Sequence, residues 1–369
     1  MGLVAAGILV DADRRPVAAG VEGVGGEAGG ASAKKRPGTA GGRGKGASPG
    51  PEPAAAALPS VVMWGHSPKE VGDLMQARKS DRLPGFRLPD AVRVAIKDQD
   101  ALAGADLIIC AIPVQFVRQV FERLRPHVPA GVPVISVSKG IENSTLLRPT
   151  QVVAEALRDD PDKPGRPLGV LSGPTIAAEL ARCLPATMVA ASDDEGVRAR
   201  VQRLFTTRWL RVYSSPDTLG VELAGATKNV VAIAAGILDG LQAGCNAKSA
   251  LLGRGLAEIT RLGTAMGASA ETFNGIAGVG DLATTCFSPE GRNRRLGEEL
   301  GKGKKLDELL RSSRSVIEGV ATTRSVVDLA RKYKVEMPIT RAVFAVLFEG
   351  LDPIEAIGML MTREMKPGE

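Results

Sequence analysis

"ADLIICAIPVQFVRQVFERLRPHVPAGVPVISVSKG", residues 105–140, decides the fold. An apolar run over 105–113 stops at a proline, an amphipathic pattern covers 114–128, and a second apolar run, "VPVISVS", ends at Lys139. Near-continuous apolar strands separated by a helix are the mark of a parallel sheet covered on both faces, wound with right-handed crossovers. The alternation continues on either side. "SVVMWG" (60–65), "LGVLSGP" (168–174), "ATMVAAS" (186–192) and "LRVYSSP" (210–216) read as strands. "PKEVGDLMQAR" (68–78), "TQVVAEALRDD" (150–160), "TIAAELARC" (175–183) and "EGVRARVQRLFTT" (195–207) read as the helices between them.

After Pro216 the strand signal ends. "LGVELAGATKNVVAIAAGILDGL", "AKSALLGRGLAEITRLGTAMG", "RRLGEELGKG", "LDELLRSS", "TTRSVVDLARKYK", "TRAVFAVLFEG" and "PIEAIGMLMTRE" are all helix-like, separated by Gly, Pro and Asn. Upstream, residues 20–50 hold twelve glycines, and their only larger aliphatics are Val21 and Val24. Such a stretch buries too little apolar surface to offset its ordering entropy, so residues 1–57 are expected to be disordered. The expected organisation is therefore a disordered segment (1–57), a doubly wound α/β domain (58–215) and an all-α domain (216–369). The ligand cleft is expected between the last two.

Composition narrows the function. The net charge of +6 is spread out, and aromatic residues are only 3% of the chain, so base-stacking nucleic-acid recognition is not expected. The basic patch around Lys34–Lys45 fits a solvated tail better than a polyanion site. Cys110, Cys183, Cys245 and Cys286 form no CxxC pair, which fits reduced thiols in the cytoplasm and no structural metal site. No run of ~18 apolar residues announces a membrane span. The opening "MGLVAAGILV" lacks the basic flank and cleavage site of a signal peptide. With His66 and His127 as the two histidines, a Ser–His or Cys–His mechanism has almost no candidates. Chemistry must lean on Lys, Asp, Arg, Asn or Thr.

In an open α/β sheet the ligand crevice lies beyond the carboxyl ends of the strands. Lys139 follows one strand there, the "SGPT" turn (172–175) with Thr175 follows the next, and His66 follows "VVMWG". The helical half offers Lys228 on an otherwise apolar helix, with Ala224, Gly225, Val231, Ala232 and Ala235 as its helical neighbours. Such an ammonium either snorkels out to water or is kept inside for a purpose. Asp281 sits in "AGVGDLATTC", as an N-cap or a site residue, and Arg292 and Asn293 open a helix in "GRNRRLG". A guanidinium fork beside a helix N-terminus suits a phosphate; a solvated basic turn is the simpler account of the same residues.

"SKGIEN", "SGPT", "ELAGATKNVVAIAAGI", "GVGDLATTC", "GRNRRLG" and "VIEGV" follow the order and spacing of the bacterial NAD(P)-dependent glycerol-3-phosphate dehydrogenases, which the chain resembles from about Val61 to Glu364. The resemblance implies a Rossmann-like domain followed by a helical one. It also implies reversible reduction of dihydroxyacetone phosphate to sn-glycerol 3-phosphate with NADH or NADPH, supplying glycerophospholipid synthesis. A homodimer is open on this reading. By the resemblance, Lys228 is the catalytic acid/base. Lys139, Gly173, Thr175, Lys228, Asp281, Thr285, Arg292 and Asn293 contact substrate, and His66, Lys139, Ala177, Arg292, Val316 and Glu318 contact the cofactor. A related reductase of another small hydroxy or keto acid is the neighbouring alternative.

The chain departs from this family at its start. A strand followed by G-x-G-x-x-G, which lets the backbone approach a pyrophosphate at a helix N-terminus, does not precede "VVMWGH". "GVGGEA" (23–28) matches by letter, but poor strand and helix signals flank it. A phospho-metabolite-binding relative with impaired catalysis is therefore a further alternative. Gly291 replaces the serine usual before "RN", and "RKSDRLPG" replaces the usual Asn- and Tyr-containing segment. The strand end "VVMW" offers no carboxylate for a ribose, which leaves NAD and NADP both open.

Overall fold

The structure, a computed structural model, describes residues 59–159, 165–313 and 315–363. The expectations for residues 1–57, including "GVGGEA", lie outside the described residues.

The α/β half runs β1 (Val62–Trp64), α1 (Pro68–Ala77), β2 (Arg93–Ala95), α2 (Asp98–Leu102), β3 (Ile108–Cys110), α3 (Val114–Leu124), β4 (Val134–Ser136) and α4 (Pro149–Leu157). It continues with β5 (Leu168–Ser172), α5 (Ala177–Ala181), β6 (Ala186–Ser192), α6 (Glu195–Phe205) and β7 (Leu210–Ser215). The strand–helix–strand unit that opened the sequence reading is present: β3 and β4 pair in parallel, with Ile109 opposite Ile135. Helix α3 buries Val114, Val117, Val120, Phe121 and Leu124, which recur three and four residues apart on one face.

Two details qualify the doubly wound parallel sheet. First, β5 and β6 pair antiparallel, while β3–β4, β4–β5 and β6–β7 are parallel. The connecting helix α5 has five residues, about 7.5 Å of rise at 1.5 Å each. That is too short to carry the chain back along the sheet for a parallel return. Second, the strands form two sheets, β1–β2 and β3–β4–β5–β6–β7, a division in keeping with the strand that the sequence lacks before "VVMWGH". They share their apolar layers all the same. Val61 and Met63 pack in one cluster with Leu107, Ile109, Ile135 and Leu171, and Trp64 packs in another with Ile108, Ile112 and Val120. β1 and β3 thus face common layers without a hydrogen-bonded ladder between them, and no described strand joins them.

The helical half begins at α7 (Thr218–Gly240), followed by α8 (Gly244–Ala265), α9 (Ala270–Asn274), a π-helical turn (Ile276–Gly280) and α10 (Asp281–Phe287). Then come α11 (Arg292–Gly301), α12 (Leu306–Ser312), α13 (Glu318–Lys332), α14 (Pro338–Phe348) and α15 (Pro353–Met361). Asp217 caps α7 through the Gly220 N–H at 2.8 Å, and its other oxygen accepts from the Ser269 N–H at 3.0 Å, tying α9 to the same corner. Leu223, Val230, Val231 and Ile233 on α7 are at most 2% exposed. Each such side chain contributes about 1.5–3 kcal/mol on burial. α7 is long and apolar enough to cross a bilayer by length and composition, an exception to the sequence reading, but 94% of its most apolar stretch is buried inside the protein.

Two contacts lock α7 to its neighbours. Gly297 of α11 lies so close to the Ile233 carbonyl that no side chain fits, which brings the two helices together backbone to backbone. Glu222 accepts from the Thr150 N–H at 2.9 Å, the Thr150 hydroxyl at 2.8 Å and Arg148 at 2.6 Å, fixing the start of α4 in the other half. The helix that carries Lys228 is therefore held from both sides.

Candidate active site

Lys228 is not a snorkelling lysine. It is 6% exposed, and its Nζ donates to Asp281 Oδ1 at 2.6 Å and to Thr285 Oγ1 at 2.6 Å. Asp281 is 1% exposed and is the first residue of α10, not its N-cap: Gly280 stands at the cap without a side-chain bond. Its carboxylate serves lysines instead. Oδ2 accepts from Lys139 Nζ at 2.7 Å, and Lys139 Nζ also donates to the Gly173 carbonyl at 3.2 Å. Thr285 donates to the Asp281 carbonyl at 2.6 Å, so its hydroxyl lone pairs face the Lys228 ammonium.

The turn after β5 completes this group. Gly173 has φ +149°, and a Cβ there would lie 2.8 Å from the Thr187 carbonyl oxygen, so glycine alone fits comfortably. Thr175 donates to the Gly173 carbonyl at 3.1 Å. The helix expected to begin at Thr175 starts two residues later, at Ala177. Thr175 therefore belongs to the turn, and Ala177 opens α5.

Burial is the main influence on Lys228 and lowers its pKa to about 8 from an ordinary lysine value; Lys139 adds to the depression and Asp281 opposes it. Burial also raises the pKa of Glu318, against the pull of Arg292, Lys139 and Lys228.

A second group lies at the start of α11. Arg292 donates to the Val316 carbonyl at 2.7 Å, and Asn293 Oδ1 accepts from the Gly319 N–H at 3.0 Å. This brings Val316 and Glu318 to the mouth of α11, where Gly291 supplies no side-chain cap and the first N–H groups of the helix have no side-chain acceptor from it. A Cβ on Gly319 would lie 2.9 Å from the carbonyl of Asn229, the residue after Lys228, so the two groups adjoin.

His66 stands apart. It is exposed at the end of β1, 3.4 Å from Arg123, whose guanidinium pairs with Asp98 at 2.6 Å and lies over the Trp64 ring at 5.3 Å. Trp64 in turn donates to Asp98 at 3.0 Å. Sequence reasoning missed this cluster, because Asp98 and Arg123 sit in separate elements with no motif between them. It also missed Ser172 and Thr322. Their buried hydroxyls make no hydrogen bond; Ser172 lies 3.1 Å from the position of a Cβ on Gly225, and Thr322 lies 3.0 Å from that on Gly140.

Gly140, with φ +132°, packs where a Cβ would press on Val114 and on the buried, unpartnered Thr322 hydroxyl. Glu318 opens α13, one turn before Thr322.

Known proteins resemble this chain in sequence and in fold. Residues 52–198 match the family model described as NAD-dependent glycerol-3-phosphate dehydrogenase N-terminus, and residues 217–358 match its C-terminus counterpart. The chain is 46% identical to glycerol-3-phosphate dehydrogenase [NAD(P)+] 1 of Salinibacter ruber, over 85% of this chain and 91% of the relative. It is 44% identical to glycerol-3-phosphate dehydrogenase [NAD(P)+] of Bacillus pumilus, over 82% and 87%. A crystal structure of glycerol-3-phosphate dehydrogenase from Coxiella burnetii superposes with a TM-score of 0.78 at 34% identity, over 82% of this chain and 92% of that one.

Proposed function

The chain belongs to the NAD-dependent glycerol-3-phosphate dehydrogenase family, and we propose that Lys228 is the acid/base of its reversible reduction of dihydroxyacetone phosphate to sn-glycerol 3-phosphate. One observation carries the assignment: a buried ammonium at the seam of the two halves, held on one carboxylate together with a second ammonium.

Reducing a ketone requires a hydride on carbon and a proton on oxygen. NADH or NADPH supplies the hydride when bound. Lys228 supplies the proton, and its positive charge stabilises the developing alkoxide in a site screened from water. Thr285 and Asp281 fix Nζ in one position, so little reorganisation accompanies transfer. In the oxidative direction neutral Lys228 takes the alcohol proton, and a pKa near 8 makes that form accessible.

Substrate phosphate is assigned to the mouth of α11, where the rest of the Arg292 fork, uncapped N–H groups and Asn293 are available. Lys139, Gly173 and Thr175 then face the carbon chain. Ala177, Val316, Glu318 and His66 are assigned to the cofactor, with residues 58–215 holding it and 216–369 carrying the catalytic lysine. The product feeds glycerophospholipid synthesis on this reading. Four cysteines with no disulfide among the described residues support a reducing, cytoplasmic setting, and the exposed Ile354, Met359 and Met361 on α15 support a homodimer. Following the fall in NADH or NADPH absorbance on adding dihydroxyacetone phosphate tests the reaction. Turnover that persists equally with non-phosphorylated dihydroxyacetone would refute the phosphate assignment.

A further inference from the structure

A groove of about 980 Å³ borders the turn that carries Thr175. Its lining includes Pro174, between Gly173 and Thr175, and Thr284, which precedes Thr285, so it shares a wall with the catalytic cleft. The remainder comes from α5, the end of α6 and the starts of β6 and β7. Its floor is apolar: Leu180, Trp209, Leu210 and Val212 are all at most 5% exposed.

Arg203, Arg208 and Arg211 line the same groove and are exposed, against one carboxylate, Glu179. None of the three guanidinium groups forms an ion pair with a described residue; Arg211 lies over the Tyr213 ring at 5.4 Å. Elsewhere in this half Arg118, Arg123, Arg166 and Arg200 hold carboxylates, while Arg93 and Arg198 donate to backbone carbonyls. The Trp209 indole N–H is buried without an acceptor, which is costly for a strong donor. The mechanism above uses none of these groups.

We infer that the groove is a second ligand site, for an amphipathic anion: a phosphate or carboxylate head on an apolar body. Guanidinium forks match such heads geometrically, and an apolar floor with a few charged groups is the usual make-up of a small-molecule site. A bare inorganic anion would leave the floor unused. A neutral apolar molecule would leave three cations uncompensated. Because Pro174 and Thr284 belong to the wall, occupancy shifts the turn and helix that contact substrate; this last clause rests on the substrate assignment above.

Decyl phosphate, used below its micellar concentration, is the probe, and isothermal calorimetry reads binding independently of turnover. The full chain is expected to bind it at least tenfold more tightly than inorganic phosphate or decanol. An Arg208→Ala/Arg211→Ala double variant, with unchanged circular dichroism, is expected to lose at least tenfold in affinity. Glu179→Gln is expected to gain at least twofold, and Arg292→Ala, in the cleft, to bind as the parent does. A change of at least twofold in the KM for dihydroxyacetone phosphate that disappears in the double variant supports the shared wall. No binding by the parent, equal binding by the double variant, or loss of binding in Arg292→Ala overturns the proposal.

Discussion

Asp281 holds two ammonium groups at once: Lys228 at 2.6 Å through Oδ1 and Lys139 at 2.7 Å through Oδ2. The carboxylate sets their spacing and neutralises one charge, leaving a net positive charge for the alkoxide that forms beside it.

The pH dependence follows. Lys228 must be protonated for reduction, so kcat in that direction is expected to fall as pH rises through about 8, while glycerol 3-phosphate oxidation rises over the same range. Asp281 pulls the Lys228 pKa up and Lys139 pushes it down. Asp281→Asn is therefore expected to move the reductive limb to lower pH, by about one unit or more, since an adjacent opposite charge typically shifts a pKa by 1–3. Steady-state pH profiles of parent and variant check the sign. A limb that stays put, or moves up, contradicts it.

Arg292→Ala removes a charge-assisted contact at the mouth of α11. Such bonds contribute about 1.5–3 kcal/mol, so the KM for dihydroxyacetone phosphate is expected to rise roughly 10- to 100-fold with a smaller change in kcat. A KM within twofold of the parent value would move the phosphate elsewhere.

At Gly173 the prediction concerns stability as well as binding. Alanine there meets both a left-handed φ and the Thr187 carbonyl, a combination expected to cost about 1–3 kcal/mol and to disturb the carbonyl that accepts from Lys139. Urea unfolding should show the midpoint falling with the slope preserved. An unchanged midpoint would mean the turn is slack.

The divided sheet bears on the cofactor. β1 and β3 share apolar layers but no ladder among the described residues, and the sequence just upstream of "VVMWGH" carries no G-x-G-x-x-G motif. A backbone cradle for pyrophosphate is not evident in the sequence. NADH and NADPH are both expected to bind this chain more weakly than micromolar, as measured by calorimetry. Micromolar affinity for either would show that some other part of the chain supplies the cradle.

The long, strongly patterned elements were legible in the sequence: β3, α3 and β4, and the apolar helix α7. β2 and α2 were not, because "VRVAIKDQDAL" mixes charges into elements of three and five residues, where periodicity has too few repeats to register. The reversal of β6 depends on the length of α5, which propensity sets poorly for so short a helix. In the site, Lys228 drew notice because it interrupts an apolar face. The partnership of Asp281 with Lys139 joins residues 142 positions apart, and no local pattern encodes it. Local pattern left Asp281 as either a cap or a site residue, and the cap position falls to Gly280, which fills it without a side chain.

The central claim is that the Lys228 ammonium delivers the proton. Lys228→Met keeps the length and apolar volume of the side chain and removes the charge, so the most direct measurement is its kcat for dihydroxyacetone phosphate at saturating NADH or NADPH, with Kd for cofactor measured alongside. Loss of general acid catalysis and of alkoxide stabilisation predicts a fall of about 10³-fold or more with cofactor affinity little changed. A variant that turns over at the parent rate would contradict the account.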